Sequence, residues 1–311
     1  MTDVIDVSAW QPSEVPEEWM GTRAKVWLKE PDTGTPWLFK AVRCKELPDG
    51  RVRCFGEDWA EWAAAQAAGH LDLPVATVRL ADRAGRWGVV SRSVLRDDRG
   101  EVVADFLEHG NELLQARHST YAKDQWREAA GYTLDAVWAS LEGIGVPEAC
   151  APPITTAFDL FAGMLVLDAL LASTDRHHEN WAALARRRHR WFAPIFDLGT
   201  CLGFQESDEN RERYLTGASG HGVDTWVLRG RSNHFEGRPG LVALALDGLA
   251  RVEPEVARYW IARVEAFDLE WWRATLAHVP SARMSHLARM FAFDVVRLNR
   301  ERLLDGYGTR P

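Results

Sequence analysis

The sequence predicts an α+β chain in two lobes: a small N-terminal antiparallel β lobe with one main helix, and a larger, mostly helical C-terminal lobe. Three observations predict it. Before residue 108, apolar residues fall in short, turn-bounded runs that alternate as half-buried strands do. Beyond Tyr121 they recur at helical spacing over long stretches. One polar segment, Ser173 to Trp181 followed by Ala193 to Gly199, interrupts that helical half.

The expected organisation is a lead-in over 1–20, an N-lobe over 21–107 and a C-lobe over 108–311. The lead-in, with Pro12, Pro16 and several acids, has the composition of an extended or weakly ordered segment. Arg23 to Leu28 and Pro36 to Val42 read as strands around the turn Pro31-Asp-Thr-Gly34. Gly56 to Gly69, rich in Ala and bounded by Gly, is the main N-lobe helix. Pro74 to Leu80, Arg86 to Leu95 and Glu101 to Glu108 complete the sheet. At Gly110-Asn111 the pattern turns helical, which makes Leu107 to His109 the expected hinge. Helices are then expected over Lys123 to Leu141, Ile154 to Ala172, Gly240 to Leu249, Pro254 to Leu276 and Ser281 to Leu304.

A chain of 311 residues, 46% of them hydrophobic, can fill two cores. Its most apolar run, Ala157 to Ala172, contains Asp159 and Asp168 and is shorter than the ~20 residues of a membrane span, so a buried helix is expected and no membrane partner. A net charge of −8 argues against direct nucleic-acid binding. Cys44, Cys54, Cys150 and Cys201 form no C-x-x-C pair and no signal-peptide pattern opens the chain, which points to a reducing cytoplasm.

The interrupting segment carries chemistry. Asp175 and Asn180 stand in D-x-x-x-x-N spacing, and Asp197 follows after two short apolar strands around the basic turn Arg186 to His189. Phosphoryl transfer needs these groups: an Asp to take the proton of the acceptor hydroxyl, an Asn to hold Mg²⁺ from the same tight loop, and a second Asp bridging metal and phosphates. A hairpin would return Asp197 beside Asn180. The plain alternative is an Asp-rich capping turn between a buried helix and a hairpin. On the N-lobe strands, Lys40 is the candidate for the α- and β-phosphates of ATP, although neither G-x-G-x-x-G nor a Walker A sequence accompanies it. The backbone near Leu107 and His109 is expected to bond the adenine edge.

Val166 to Trp181 and Leu184 to Phe204, together with Trp37-Leu-Phe-Lys40, resemble the catalytic, metal-binding and lysine segments of HipA-like kinases. The resemblance implies a bacterial serine/threonine kinase with a fold similar to protein kinases and phosphatidylinositol kinases, using ATP and Mg²⁺ on a protein or peptide substrate. It implies Asp175 as the base, Asn180 and Asp197 as metal ligands, Lys40 as the phosphate lysine and Glu61 as its helix partner. Gly21, Thr22 and Lys25 then belong to the phosphate loop Met20 to Lys25. Ser173 departs from the family's usual Asn, which removes one expected brace from the catalytic loop. Glu18 and Trp19 stand where the founding member carries a regulatory Ser, so that control is expected to be absent. The chain opens almost at the N-lobe, so the resemblance does not carry over a toxin–antitoxin assignment.

Two other functions fit the same residues: a kinase of a small molecule, lipid or dedicated peptide, and a nucleotide-binding regulatory protein without turnover. Intact Lys40, Asp175, Asn180 and Asp197 speak against the second. His177-His178-Glu179 lacks metal-site spacing, and His177 is expected to brace the loop. Arg229 to Gly240, polar, basic and Gly-rich, reads as a mobile surface loop, with an acidic-substrate site as the sharper alternative.

Overall fold

A computed structural model describes residues 4–13, 25–46, 48–50, 52–125 and 127–309. The N-lobe strands are β1 (Ile5–Asp6), β2 (Gln11–Pro12), β3 (Lys25–Lys29), β4 (Pro36–Ala41), β5 (Cys44–Glu46) and β6 (Val52–Cys54). Helix α1 (Glu57–His70) and strands β7 (Val78–Arg83) and β8 (Arg86–Arg92) follow. The main sheet has the order β1-β7-β8-β4-β3-β2. It is antiparallel except where β1 joins β7 in parallel. The lead-in thus supplies an edge strand to each side of the sheet, and Val7 is fully buried beneath it. The β7–β8 turn is Ala84-Gly85, both with positive φ (52° and 79°), which suits the twist of a tight hairpin.

Two further features of this lobe differ from the expectation. β5 and β6 form a separate hairpin closed by a Cys44–Cys54 disulfide, so these two cysteines are paired; Cys150 and Cys201 are free. Sequence separation hid the pairing, because the two residues become cross-strand neighbours only when the hairpin forms. The expected strand 101–108 shrinks to β9 (Phe106–His109), which leaves the main sheet and pairs with the C-lobe.

Helix α1 touches β7 and β8 on one side and helices of the C-lobe on the other. Its Ala60, Ala63, Ala64, Ala67 and Ala68 are all fully buried, since small side chains let the backbone approach both neighbours. A strap between the lobes is Arg283, which donates to Asp58 (3.2 Å) and to the carbonyls of Gly88 (3.1 Å) and Ala81 (2.7 Å).

The C-lobe contains α2 (Gly110–Arg117), α3 (Leu134–Leu141), α4 (Ala157–Leu171), β10 (Ala182–Arg186), β11 (His189–Phe192), α5 (Asp208–Thr216), α6 (Val223–Leu228), α7 (Leu241–Leu249), α8 (Pro254–Glu265), α9 (Leu269–His278) and α10 (His286–Gly308). Every residue of α4 is buried, as a helix apolar on all faces requires. Thr156 and Asp159 cap its start reciprocally. Helices α7 and α10 pack on it. Among the described residues no helix is long and apolar enough to cross a membrane.

The predicted helix 123–141 survives only as α3, because Gly131 takes a positive φ (81°) and Thr133 caps a new start. The predicted 254–276 helix splits at Asp268, whose carboxylate caps α9 through Glu270 and Trp271 N–H.

Candidate active site

Strands β3 and β4 place Lys25 opposite Lys40 in register. Lys40 is 4% exposed, and its Nζ donates to Glu61 Oε1 (2.8 Å) on α1 and to Asp197 Oδ1 (2.9 Å). Burial alone would lower the Lys40 pKa, but the carboxylates of Asp197 and Glu61 outweigh it and raise the pKa, so the ammonium stays charged. Lys25 Nζ reaches Asp197 Oδ2 at 3.5 Å. Two cations therefore converge on one carboxylate. Asp197 itself holds left-handed backbone, φ 56°, where a non-glycine residue is strained. Gly88 pairs with Ala41 in the sheet, and a Cβ there would run into the neighbouring Lys40 carbonyl.

Below this cluster, α4 ends at Ala172 in left-handed conformation (φ 54°) and releases the catalytic loop. Arg176 turns back into the core. Its Nε and Nη2 each bond Asp168 at 2.8 Å, one to each carboxylate oxygen, and its Nη1 bonds the Asn180 carbonyl at 2.6 Å. Asn180 Nδ2 donates to the Asp175 carbonyl at 2.7 Å, which closes the loop on itself. Arg176 thus braces the loop from the core side. Tyr132 Oη adds a bond to the Arg176 carbonyl (3.2 Å) and receives one from Trp181 Nε1 (2.9 Å).

His177 accepts from the Glu179 N–H at 3.2 Å, the bracing role expected of it. His178 Nδ1 instead meets Tyr121 Oη at 2.6 Å, and the His177 and His178 rings stand 87° apart. Burial drives both histidines down to about 4, so both are neutral near pH 7.

The surroundings of Asp175 hold a residue that sequence reading missed. His234 Nε2 lies 2.7 Å from Asp175 Oδ1, and because a carboxylate only accepts, Nε2 carries the proton. Asn233 fastens the same loop to the catalytic loop twice, through its N–H to the Thr174 carbonyl and its Nδ2 to Thr174 Oγ1, both at 3.1 Å. Phe235 is 2% exposed and stacks on Tyr132 with centroids 4.1 Å apart. The loop is therefore anchored, which corrects the expectation of a mobile surface loop. The only sequence signal was its basic, Gly-rich composition at a substrate-loop distance from Asp197.

At the hinge, β9 is an edge strand of the sheet β11-β10-β9. Gly110 N–H bonds the Trp181 carbonyl at 2.9 Å, so ladder alternation turns the backbone of Leu107 and His109 toward the open edge. The His109 N–H is taken by Glu112 Oε2 at 3.0 Å, and its ring bonds the Glu179 carbonyl at 2.9 Å. Gly110 is required here, since a Cβ would collide with the Trp181 ring and the His178 carbonyl. Leu107, Phe196, Val94 and Val103 pack around Ala104, Ala182 and Leu184 in a separate apolar cluster.

The structure thus brings Lys25, Lys40, Glu61 and Asp197 into one cluster, and Asp175, Asn180 and His234 into a second. Gly21 and Thr22 lie outside the described residues.

The profile of the HipA-like C-terminal domain matches residues 19–271. No curated protein matches the chain. Among solved structures, the Helicobacter pylori proinflammatory kinase CtkA is similar over 99% of this chain and 98% of its own, with a TM-score of 0.71 at 18% identity. HipA from the Shewanella oneidensis MR-1 HipA–HipB–operator DNA complex aligns over 95% of this chain and 70% of its own, with a TM-score of 0.48 at 11% identity. The CtkA similarity identifies the fold as kinase-like.

Proposed function

Because the chain belongs to the HipA-like C-terminal domain family, we propose that it is an ATP- and Mg²⁺-dependent kinase that transfers the γ-phosphoryl group to a Ser or Thr hydroxyl of a protein. The observation that carries this reading is Lys40, a buried ammonium joining Glu61 of α1 to Asp197 of the metal segment. That arrangement holds a phosphate-binding lysine ready and fixes the metal carboxylate beside it.

The residues present fit a hard divalent cation. Asp197 already gathers two ammonium groups, and Asn180 spends its Nδ2 on the Asp175 carbonyl, which leaves Oδ1 to offer a metal. Asp197 and Asn180 would hold Mg²⁺, which when bound neutralises charge on the β- and γ-phosphates. Lys40 grips the α- and β-phosphates, Glu61 keeps its flexible stem in place, and Lys25 meets the phosphate chain. Leu107 presents its backbone groups to adenine, whereas the His109 N–H is already held by Glu112. His234 occupies Asp175 Oδ1, so Oδ2 is the atom that takes the acceptor proton. Membrane and nucleic acid play no part in this reading.

The test is thermal stabilisation and phosphate transfer. ATP with Mg²⁺ is expected to raise the melting temperature more than either alone, and Asp197→Ala is expected to abolish the combined effect. Labelled ATP should transfer phosphate to protein acceptors. A wild-type chain indifferent to ATP with Mg²⁺ refutes the reading.

A further inference from the structure

The anchored loop beside Asp175 carries arginines that nothing in the nucleotide site uses. Arg229, Arg231 and Arg238 are exposed, and among the described residues no carboxylate pairs with any of them. Arg238 Nη2 reaches Asn233 Oδ1 at 3.4 Å, and Asn233 is bonded to Thr174, the neighbour of Asp175. Arg231 Nη1 donates to the Arg238 carbonyl at 3.2 Å, which draws the two stems together. The loop's single acid, Glu236, is turned to the Gly131 N–H (2.8 Å).

These arginines do not stand on a floppy tip. Ser232 (1% exposed), His234 (5%) and Phe235 (2%) are buried beneath them, and Ser232 Oγ accepts from the N–H groups of His234 and Phe235. The backbone that presents them is held to the catalytic loop through Asn233 and His234. In a chain of net charge −8, guanidiniums with no carboxylate partner among the described residues, on a loop bonded to Thr174 and Asp175, form a local cationic patch on the side of the proposed base.

We propose that Arg231 and Arg238 select the acceptor, binding a peptide whose Ser or Thr is flanked by Asp or Glu. The selection rests on the placement of the acceptor at Asp175. Guanidinium forks match carboxylates with paired, charge-assisted bonds, and Asp175, itself anionic, offers such flanking residues nothing. An acidic flank therefore docks on the loop and leaves the hydroxyl beside Asp175.

The experiment measures fluorescence anisotropy of labelled Ser-centred peptides on the full chain, flanked by Asp, by Ala or by Lys. Binding of this kind needs no turnover, so its outcome is separate from that of the ATP experiment above, which alone decides the kinase reading. The Asp-flanked peptide is expected to bind about tenfold tighter than the Ala-flanked one, the scale of one or two charge-assisted contacts. Arg231→Ala with Arg238→Ala should erase that preference. Arg238→Glu should transfer it to the Lys-flanked peptide, a gain that misfolding cannot produce. Arg187→Ala with Arg188→Ala, at the exposed β10–β11 tip, serves as the control and should leave the preference intact. Equal binding of all three peptides overturns the proposal, as does a preference lost in the β10–β11 control yet kept in Arg238→Glu.

Discussion

The two halves of the site are built on opposite principles. On the nucleotide side, Lys40 and Glu61 are almost fully buried and meet Asp197 through short charged contacts that leave little freedom. On the acceptor side, the Asp175 side chain is 37% exposed and is positioned by a histidine arriving from a loop 59 residues away. Buried charges demand partners of fixed identity, since an unpaired one costs several kcal/mol. An exposed carboxylate tolerates many neighbours. The half built on Lys40 is therefore the more constrained by physics, and the half around Asp175 is the freer to vary.

A change at Arg176 should erase the contrast by damaging both halves. Arg176→Ala leaves Asp168 buried beside the end of α4 with no counter-charge and frees the Asn180 carbonyl. The expected loss is about 3–5 kcal/mol of unfolding free energy, with nucleotide binding and turnover falling together. Denaturant unfolding read alongside ATP affinity checks it. A variant as stable as the parent would show that the pair is dispensable.

Asp175→Asn should separate the halves. It keeps side-chain volume and the contact with His234 but cannot accept a proton, so turnover is expected to drop by about 10² or more while ATP affinity holds. Side-by-side measurement of ATP affinity and turnover decides it, and full activity would remove the base from the mechanism.

The smallest effects sharpen the distinction. Glu61→Gln loosens Lys40 and should raise the KM for ATP by about tenfold with a lesser effect on acceptor KM. His234→Ala should do the reverse, lowering kcat by about tenfold at unchanged ATP KM, and His234→Gln, which retains a donor, should recover part of that loss. Identical kinetic signatures for Glu61→Gln and His234→Ala would collapse the two-sided description.

Much of this was legible in the residue order, for local reasons. The β3–β4 hairpin, α1, α4 and the β10–β11 hairpin follow from turn chemistry and apolar period, which act over a few residues. Asp175 and Asn180 lie on one short loop, and their spacing singles them out only because a buried helix precedes it and a Phe-Asp-Leu-Gly segment follows. Lys40 and Asp197 are legible from the order of polar groups and Glu61 from the family resemblance, and the structure brings the three together. The sequence alone thus determined the α+β bilobal character, the buried central helix and the charged groups that meet at Lys40. Tertiary structure decided the rest. The Cys44–Cys54 bond, the transfer of β9 to the C-lobe sheet, the two edge strands from the lead-in, the Arg176–Asp168 pair and the docking of His234 on Asp175 all depend on how elements approach in space. Periodicity records which face of a segment is buried, and carries no information about which distant segment buries it.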